Sequence, residues 1–480
     1  MFEEKELPPL MLLNTESRNK EAIVPLQNNH IRMYTCGPTV YDFAHIGNFR
    51  TYVFEDLLRR TIKFFGMKIT QVMNITDVDD KTIRGATKKG ITLGEYTQPF
   101  LDAFFEDVDA LNIERVEQYP AATEFIPEMI EMIQALIEKG YAYQGKDQSI
   151  YYNIQQFPRY GCLSHLKLDQ LQTGASDRVC SDEYEKEHAA DFVLWKAYDS
   201  ERDGKIYWDS PFGKGRPGWH MECSAMAMKI LGETLDIHVG GVDNMFPHHE
   251  NEIAQSEAYS GKQFAKIWLH SEHLLVENKK MSKSLGNFYT FRDLMEKGYN
   301  GKEVRYMLLQ THYKTQLNFT LPGLDGSKVS LDRMQNFIER LQGIPENVST
   351  GCDPTKFQQY LESAFDFFTK SLADDLNISV ALSAVFDLIR DINSLCDAQE
   401  MSYEQAQRVL ELMQKFDTVL GVLSFDKPNH VPDEVISLVQ QRQQARHDKN
   451  WISADELRDA IQQQGYQVED TPTGPRVHKL

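Results

Sequence analysis

Residues 31–38, with the sequence IRMYTCGP, predict a strand that runs into a Gly-Pro turn. Residues 45–48, HIGN, then open a helix, which the spacing of apolar side chains carries over residues 49–65. Residues 68–73 predict a second strand. A strand, a helix and a second strand in this order begin a Rossmann-type fold, in which the amides at the helix N-terminus can bind phosphate.

A second short string lies far along the chain, at residues 280–284, with the sequence KMSKS. Its two lysines and two serines could close over the phosphates of a nucleoside triphosphate from the side opposite His45. Each string alone occurs by chance in unrelated proteins, and the alternative is a core histidine with an ordinary basic loop. The order of the strings, and the Rossmann-type segment around the first, favour a nucleotide site.

The composition is typical of a soluble globular protein of several domains, with 480 residues, of which 41% are hydrophobic and 25% charged. No apolar run is long enough to cross a bilayer, and an acidic start broken by Pro8-Pro9 predicts no secretory signal. The six cysteines form no Cys-x-x-Cys pair, which favours a reducing cytoplasm. The net charge of −20 argues against broad nonspecific binding of nucleic acid, although a local basic face could still hold one.

The chain divides by pattern into a nucleotide fold, an insertion and a helical end. Residues 74–81, NITDVDDK, follow the second strand at the edge where such folds place ligands, although a bare acidic turn is the alternative. Residues 235–241 predict a late strand of the same fold. Beyond Asp325 the pattern is helical, and Ser453 begins a predicted capping box before a helix that stops at Gly465.

A candidate metal site comes from His248 and Glu252, which lie four residues apart after a proline that suits a helix start. Cys36 ends the first strand and Cys223 follows the stretch WHME, so both thiols could reach the same edge of the sheet. Two thiolates, an imidazole and a carboxylate suit zinc in tetrahedral geometry. Spacing alone leaves two readings open, because buried unliganded cysteines beside a capping His-Glu pair give the same pattern.

Long stretches of the chain resemble the cysteinyl-tRNA synthetases, a family of class I aminoacyl-tRNA synthetases, over nearly its whole length. The matching stretches are residues 34–42, 45–48, 74–81, 191–196, 215–226, 246–256 and 280–287. The resemblance implies an α/β fold with a Rossmann-type parallel-sheet catalytic domain, an inserted domain, a helical bundle and a small C-terminal anticodon-binding domain. It also implies one zinc ion per chain, held by Cys36, Cys223, His248 and Glu252.

The resemblance implies a role for each signature residue. ATP, with magnesium, would activate L-cysteine, and the cysteinyl group would pass to the terminal adenosine of cysteine tRNA. The residues implied for catalysis are His45, Asn48, Lys280 and Lys283, and the same four would bind ATP together with Gly240 and Asp243. Asn48 replaces the last histidine of the commoner HIGH signature, and its amide can still donate a hydrogen bond. The residues implied for the cysteine pocket are Gly37, Thr76 and Trp219.

The implied domains are residues 20–122 and 214–266 for the catalytic fold, 123–213 for the insertion, 267–328 for a connecting domain with the signature loop, 329–425 for the bundle and 426–480 for the anticodon reader. A monomer in the cytoplasm is expected. The tail offers basic groups around an aromatic: Arg442, Arg446, Lys449, Trp451, Arg458, Arg476, His478 and Lys479. A solvated amphipathic helix pair is the alternative, because acidic residues such as Asp448 are interspersed.

The sequence departs from the family pattern in two places, and two rival functions are considered. Residues 270–273 read HSEH where the family has HNGF, which could alter loop closure, and residues 377–379 read NIS where it tends to have NTP. One rival is a related ligase that joins cysteine to an amino sugar, which has no use for an anticodon reader. The other is a catalytically inactive RNA-binding relative, against which the intact His45, Lys280 and Lys283 argue.

Overall fold

The computed structural model describes residues 7–166, 191–282, 285–426, 432–471 and 474–479. The strands are β1 (Met11–Leu13), β2 (Lys20–Ala22), β3 (His30–Thr35), β4 (Lys68–Met73), β5 (Ala142–Gln144), β6 (Ile150–Tyr152), β7 (Phe192–Ala197), β8 (Gly215–Pro217), β9 (Leu235–Gly241), β10 (Ala265–Ser271), β11 (Leu274–Val276), β12 (Lys279–Lys280), β13 (Leu317–Phe319), β14 (Tyr466–Thr471) and β15 (Gly474–Lys479).

The longer helices are α1 (Ile46–Phe64), α2 (Asp80–Lys89), α3 (Leu93–Ala110), α4 (Ile126–Glu138), α5 (Trp219–Leu231), α6 (Glu250–Ser260), α7 (Phe291–Glu296), α8 (Gly301–Leu309), α9 (Leu321–Gln342), α10 (Pro354–Ala373), α11 (Ile378–Asp397), α12 (Tyr403–Leu420), α13 (Asp433–His447) and α14 (Trp451–Gln463). Within the described ranges no helix is long and apolar enough to cross a membrane.

A parallel sheet of four strands, in the order β10-β9-β3-β4, forms the centre of the catalytic fold. Apolar clusters cover both faces, one with Val72 and Trp268 and the other with Ile31, Ile69 and Ile237. Burial on both faces is what a parallel sheet requires, because its crossover helices pack on either side. The predicted strands and α1 are confirmed, and their carboxyl ends meet at one edge of the sheet.

The insertion builds its own antiparallel sheet, in the order β5-β6-β7-β8, against helix α4. Its apolar residues join the same cluster that covers one face of the parallel sheet. The chain then returns through β8 directly into α5, and this return brings Trp219 and Cys223 beside the end of β3. The predicted α/β class, with a Rossmann-type sheet and a helical C-terminal region, is confirmed. The residue numbers given for the domain boundaries stay predictions.

Helix α1 is held in place by a buried ion cluster. Asp56 accepts from Arg60 Nε at 2.7 Å and from the amide of Glu114 at 2.9 Å, and it also pairs with Arg305. Burial would raise the pKa of Asp56, but Arg305 and Arg60 lower it below its ordinary value. A buried carboxylate with two guanidinium partners fixes geometry more than it adds net stability. Helix α1, whose N-terminus carries His45, is therefore held near its middle.

Two compact units divide the chain: Met1–Met334 with Glu346–Leu423, and Gln335–Pro345 with Ser424–Leu480. The first contains α10, α11 and α12, whose apolar faces are buried, as the spacing of Ala381, Val385, Leu388, Ile389 and Ile392 predicts. Asn377 caps α11 and Ser379 donates to the carbonyl of Gln310, so this helix begins without the proline usual in the family.

The second unit has a small core of its own, formed by Val435, Val439, Ile461, Tyr466 and Val468. The predicted capping box at Ser453 is wrong. Helix α14 begins at Trp451, and the side chain of Asn450 accepts from the amide of Ser453. Asn450 takes the cap because an asparagine side chain satisfies the first-turn amides as well as serine does.

Glu55 on α1 is a buried carboxyl group that forms no ion pair within the described ranges. It is fully buried, and neither carboxyl oxygen has a well-formed hydrogen bond within the described ranges. Burial raises the pKa of Glu55 well above its ordinary value, an effect that the hydroxyl of Thr35 only partly offsets. The folded chain therefore holds a proton here that the unfolded chain releases, so its stability falls as the pH rises above the ordinary pKa of a glutamate.

We expect Glu55→Gln to raise the free energy of unfolding at pH 8 by on the order of 1 kcal/mol, because the amide needs no proton to stay neutral. The measurement is thermal or urea unfolding from pH 5 to pH 8, with the variant flattening the fall in stability toward high pH. A variant that is less stable than the wild type at pH 8, or that keeps the same slope, would show that Glu55 is ionised in the fold.

Candidate active site

The glycine that follows Cys36 lets the ends of β3 and β4 approach closely. A Cβ at Gly37 would lie 1.8 Å from the carbonyl oxygen of Asn74. The amide of Gly37 instead donates to Asn74 Oδ1 at 2.9 Å, and Asn74 Nδ2 donates to Thr76 Oγ1 at 3.1 Å. Thr76 in turn donates to a carboxyl oxygen of Glu222 at 3.0 Å. This chain of hydrogen bonds joins two predicted pocket residues, Gly37 and Thr76, to the residue that precedes Cys223.

The four predicted metal ligands come together. One donor atom each from Cys36, Cys223, His248 and Glu252 lies within 4.8 Å of the other three, and all four residues are buried or nearly so. The α-helix begins at Glu250 rather than directly after Pro247, but a single π-helical turn runs into it. His248 Nε2 still lies 3.0 Å from Glu252 Oε1.

A second set of four donors overlaps the first: Cys36, Glu252, His238 and His249 also lie within 4.8 Å of one another. His238 Nε2 is 2.7 Å from Glu252 Oε2, and His249 Nε2 is 3.1 Å from Cys36 Sγ. The first set has two sulfur donors, and its Cys36, Cys223 and His248 line the open pocket. Glu252 and the two additional histidines are fully buried and do not line it. His238 and His249 therefore suit the layer that orients the ligands.

Charge explains why this cluster suits a cation. Burial raises the pKa of Cys223 well above its ordinary value, and the nearby Cys36 and Glu252 raise it further. Burial would lower the pKa of His248, but Glu252 and Cys223 raise it to about 10. The carboxyl of Glu252 has a pKa of about 2 despite its burial, because His238 and His248 stabilise its charge. Three acidic groups around buried imidazoles are the environment that a divalent cation stabilises.

Trp219 covers the metal-ligand cluster from the pocket side. Its ring stacks on the ring of His248 with centroids 4.1 Å apart, and the residue remains 43% exposed. His220 Nδ1 approaches His248 Nδ1 at 2.8 Å, which leaves Nε2 of His248 directed at the cluster. A cavity of about 480 Å³ opens above, and its walls include Cys36, Gly37, Thr76, Trp219 and Cys223.

His45 and Asn48 cap α1 reciprocally at the other side of this cavity. The amide of Asn48 donates to His45 Nδ1, and the amide of His45 donates to Asn48 Oδ1, both at 3.1 Å. In the neutral ring the proton is therefore on Nε2, where it can be donated to a phosphate. A Cβ at Gly47 would lie 3.0 Å from the His45 ring, so a side chain at this position would press on that ring.

An adjoining cavity of about 410 Å³ collects the predicted nucleotide residues His45, Asn48, Asp243 and Lys280, with Gly241 in its wall beside Gly240. Asp243 Oδ2 lies 3.2 Å from His273 Nδ1, so the HSEH departure supplies a partner for the predicted ribose carboxylate. Asn287 links the two sides of the signature loop, because it accepts from the amide of Ser282 and donates to the carbonyl of Lys280. Lys283 lies outside the described residues.

Sequence reasoning missed the second layer of the site. Its members are Asn74, His220, Glu222, His238, His249 and His270, and the last of these donates to or accepts from His249 and Thr15. His220 and Glu222 lie between the predicted residues Trp219 and Cys223 in the sequence. This position was the signal that could have identified them as part of the site. His238 and His270 lie inside strands, where a histidine by itself predicts nothing about a site.

Comparison with known proteins agrees with this geometry. Residues 22–328 match the family described as tRNA synthetases class I (C) catalytic domain, residues 367–424 match the DALR domain, and residues 429–477 match the cysteinyl-tRNA ligase anticodon binding domain. In fold the chain is similar to methionyl-tRNA synthetase of Mycobacterium tuberculosis, with a TM-score of 0.57 at 13% identity over 82% of this chain and 88% of that one. Fold and signature strings together are those of a class I aminoacyl-tRNA synthetase.

Relatives that match over nearly their full length identify the family within this class. A cysteine–tRNA ligase of Protochlamydia amoebophila (strain UWE25) is 64% identical over 472 residues, which is 98% of each chain. A cysteine–tRNA ligase of Chlamydia trachomatis serovar A is 56% identical over 98% of this chain and all of that one. The chain belongs to the cysteine–tRNA ligase family, and it is an enzyme of the ligase class.

Two adjacent glycines test the close packing beneath the site. A Cβ at Gly240 would lie 2.7 Å from the His249 ring, whereas the nearest atom to one at Gly241 is Thr51 Oγ1 at 3.5 Å. We expect Gly240→Ala to cost about 1–3 kcal/mol of unfolding free energy, because His249 is buried and has no room to move. Gly241→Ala, measured in the same unfolding experiment, should cost clearly less. Equal losses in the two variants would show that His249 does not pack as described.

Proposed function

We propose that this chain joins L-cysteine to cysteine tRNA in two steps, with ATP and magnesium, and that one zinc ion selects the amino acid. The observation that carries the proposal is the quartet of Cys36, Cys223, His248 and Glu252. The two cysteines and His248 line a cavity that also reaches His45 and Asn48, and Glu252 is buried behind them. A sulfur-selective site and a phosphate-binding helix N-terminus thus open onto one space, as a reaction between cysteine and ATP requires.

In the first step a carboxylate oxygen of cysteine attacks the α-phosphorus of ATP, and the bond from that phosphorus to the bridging oxygen of pyrophosphate breaks. His45 donates from Nε2 to the phosphates, and Lys280 and Lys283 stabilise the charge on the leaving pyrophosphate. Asn48 holds the His45 tautomer through the reciprocal cap. Asp243 binds the ribose, with His273 beside it.

In the second step a ribose hydroxyl of the terminal tRNA adenosine attacks the activated carbonyl, and AMP leaves. Gly37 and Thr76, on the hydrogen-bonded chain that ends at Glu222, hold the amino acid in place. Burial raises the pKa of Glu222 well above its ordinary value, so this residue stays neutral and positions Thr76 without adding charge.

Selectivity for cysteine over serine is the reason to invoke a metal. The two amino acids differ by one atom, and an apolar pocket separates near-isosteres only weakly. Zinc held by the quartet would bind the substrate sulfur as a thiolate, which serine does not provide. Trp219, stacked on His248, would close the pocket over that sulfur.

Purified protein should exchange pyrophosphate into ATP with cysteine, far better than with serine or alanine, and should charge cysteine tRNA in total tRNA. It should also contain one zinc per chain by elemental analysis. Exchange with cysteine followed by joining of cysteine to an amino sugar, with no charging of tRNA, would instead support the ligase rival. No exchange at all would support the inactive rival.

Cys223→Ser should lower zinc content and cysteine-dependent exchange together, because a serine hydroxyl is a poor zinc ligand at neutral pH. Cys396→Ser makes the same atomic change in helix α11, away from the quartet, and should keep both. Wild-type protein without stoichiometric zinc, with exchange unaffected by chelation, would falsify the metal assignment.

The second unit is proposed to read the anticodon, which the match to an anticodon binding domain supports. Trp451 is 57% exposed, with the Arg446 guanidinium 5.9 Å from its ring, and Lys449 and Arg458 are exposed nearby in sequence. Arg442, by contrast, is 4% exposed, so its expected place on this surface is wrong. The side chains of Arg476, His478 and Lys479 lie outside the described part of the chain. The monomeric state and the cytoplasmic location remain predictions.

We expect Trp451→Ala to weaken the apparent affinity for cysteine tRNA by roughly 1–3 kcal/mol, because base stacking on an exposed aromatic is lost. The measurement is the KM for tRNA in charging, compared with cysteine-dependent exchange in the same preparation. Ile452→Ala is the matched control, since Ile452 is the next residue and is 75% exposed. A KM for tRNA that shifts equally in both variants would rule out stacking on Trp451.

A further inference from the structure

The two signature strings of this chain touch each other at the N-terminus of α1. We call residues 280–282 and 287–290, which stand on the two sides of the signature loop, the loop base. Met281 and Phe288 of the loop base line the same cavity as His45. The loop base is therefore part of the wall that surrounds the His45 ring.

Main-chain contacts join the loop base to the start of α1. The amide of Ile46 donates to the carbonyl of Tyr289 at 3.0 Å, and His45 pairs with Thr290 in an antiparallel bridge. Thr290 also caps the next helix, α7, because its hydroxyl accepts from the amide of Asp293 at 3.2 Å. The loop base is thus held between two helix N-termini, and this restricts its movement relative to His45.

Asn287 closes the loop base across the signature loop. Its side-chain oxygen accepts from the amide of Ser282 at 2.9 Å, and its side-chain nitrogen donates to the carbonyl of Lys280 at 3.2 Å. Met281 lies between these two residues in the chain, and its terminal methyl would be 3.2 Å from a Cβ at Gly47. Glycine at this position leaves room for Met281, so both sides of the loop base lie against the start of α1.

The ring of Phe288 packs against the ring of His45. Their centroids are 5.3 Å apart and their planes are at 82°, which is the edge-to-face arrangement that aromatic rings favour. The amide of Asn48 holds one atom of the imidazole, Nδ1, at 3.1 Å, and rotation about the bond from Cβ to the ring is soft for histidine. Because Phe288 contacts the body of the ring, it restricts this rotation. The direction of Nε2 therefore depends on Phe288 as well as on the cap.

We propose that Phe288 is a positioning residue for His45, through which the loop base orients the imidazole toward the phosphates of ATP. This inference rests on the proposed function, because that function requires Nε2 of His45 to donate to a phosphate. The loop base carries both Lys280 and the support of the imidazole, so the two phosphate-binding groups keep a fixed spacing. Phe288 has no polar side-chain atom, and it acts on the reaction through His45.

The test is cysteine-dependent exchange of pyrophosphate into ATP, measured for Phe288→Leu alone and in combination with His45→Asn. Phe288→Leu keeps an apolar side chain but loses the flat ring, so kcat should fall roughly tenfold while the KM values for cysteine and ATP stay within about twofold. In the His45→Asn background the same change should have almost no further effect, because the imidazole through which it acts is gone. Phe288→Tyr keeps an aromatic ring and should retain most of the turnover.

Tyr289→Leu is the matched control, since it removes an aromatic ring from the next residue and leaves the main-chain bond to Ile46 in place. The ring of Tyr289 packs on Phe319 of β13, with centroids 5.8 Å apart, and its loss should leave kcat near that of the wild type. Equal losses of kcat in Phe288→Leu and Tyr289→Leu would reduce the role of both rings to the folding of the loop base, and the proposal would fail.

The combined variant gives the second way to reject the proposal. If the losses of Phe288→Leu and His45→Asn multiply, or if Phe288→Tyr loses as much turnover as Phe288→Leu, then Phe288 does not act through the His45 ring. A wild-type chain that shows no exchange with cysteine would overturn the proposed function instead.

Discussion

The carboxylate of Glu252 is the constraint on which the site depends. It is fully buried and lies 2.7 Å from His238 and 3.0 Å from His248, so it ties strand β9 to the turn before α6. A buried carboxylate is costly unless it is paired on both oxygens, and removing either imidazole would leave an unpaired charge in the core. The positions of His249 and Cys36 follow from the same packing, because His249 fits between Gly240 and the thiol.

Different main-chain elements hold the two sides of the proposed site. Turns after β3 and β4 hold the proposed amino-acid side, where glycine allows two strand ends to approach within hydrogen-bonding distance. The N-terminus of α1 holds the proposed phosphate side, and its reciprocal cap fixes which nitrogen of His45 carries the proton. The buried Asp56 cluster then keeps α1 from shifting relative to both. Rigid elements thus place Gly37, His45 and Thr76 around one cavity.

The insertion does more than interrupt the catalytic fold. Its strands β7 and β8 bring Lys196 and Arg216 against Asp80 at the start of α2, and the chain leaves β8 directly into the helix that carries Trp219 and Cys223. One segment therefore brings Lys196 and Arg216 to Asp80, supplies Trp219 to the proposed cysteine pocket and carries the predicted metal ligand Cys223. A shift of the insertion would move all three together.

The sequence by itself determined the strands of the parallel sheet, α1 and the four-residue donor set, because periodicity and long signature stretches are local patterns. It left the choice between a metal site and packed cysteines to resemblance, since Cys36 and Cys223 are far apart in the chain. The sequence indicated Ser453 as the start of a capping box, but the cap of α14 is Asn450, three residues earlier. It also indicated an exposed Arg442, whereas the packing of a small core buries this residue. Only the tertiary structure brought His238, His249 and His270 beneath the predicted ligands. These arrangements depend on which strands pair and on where the insertion folds back, and the spacing of residues along the chain indicates neither.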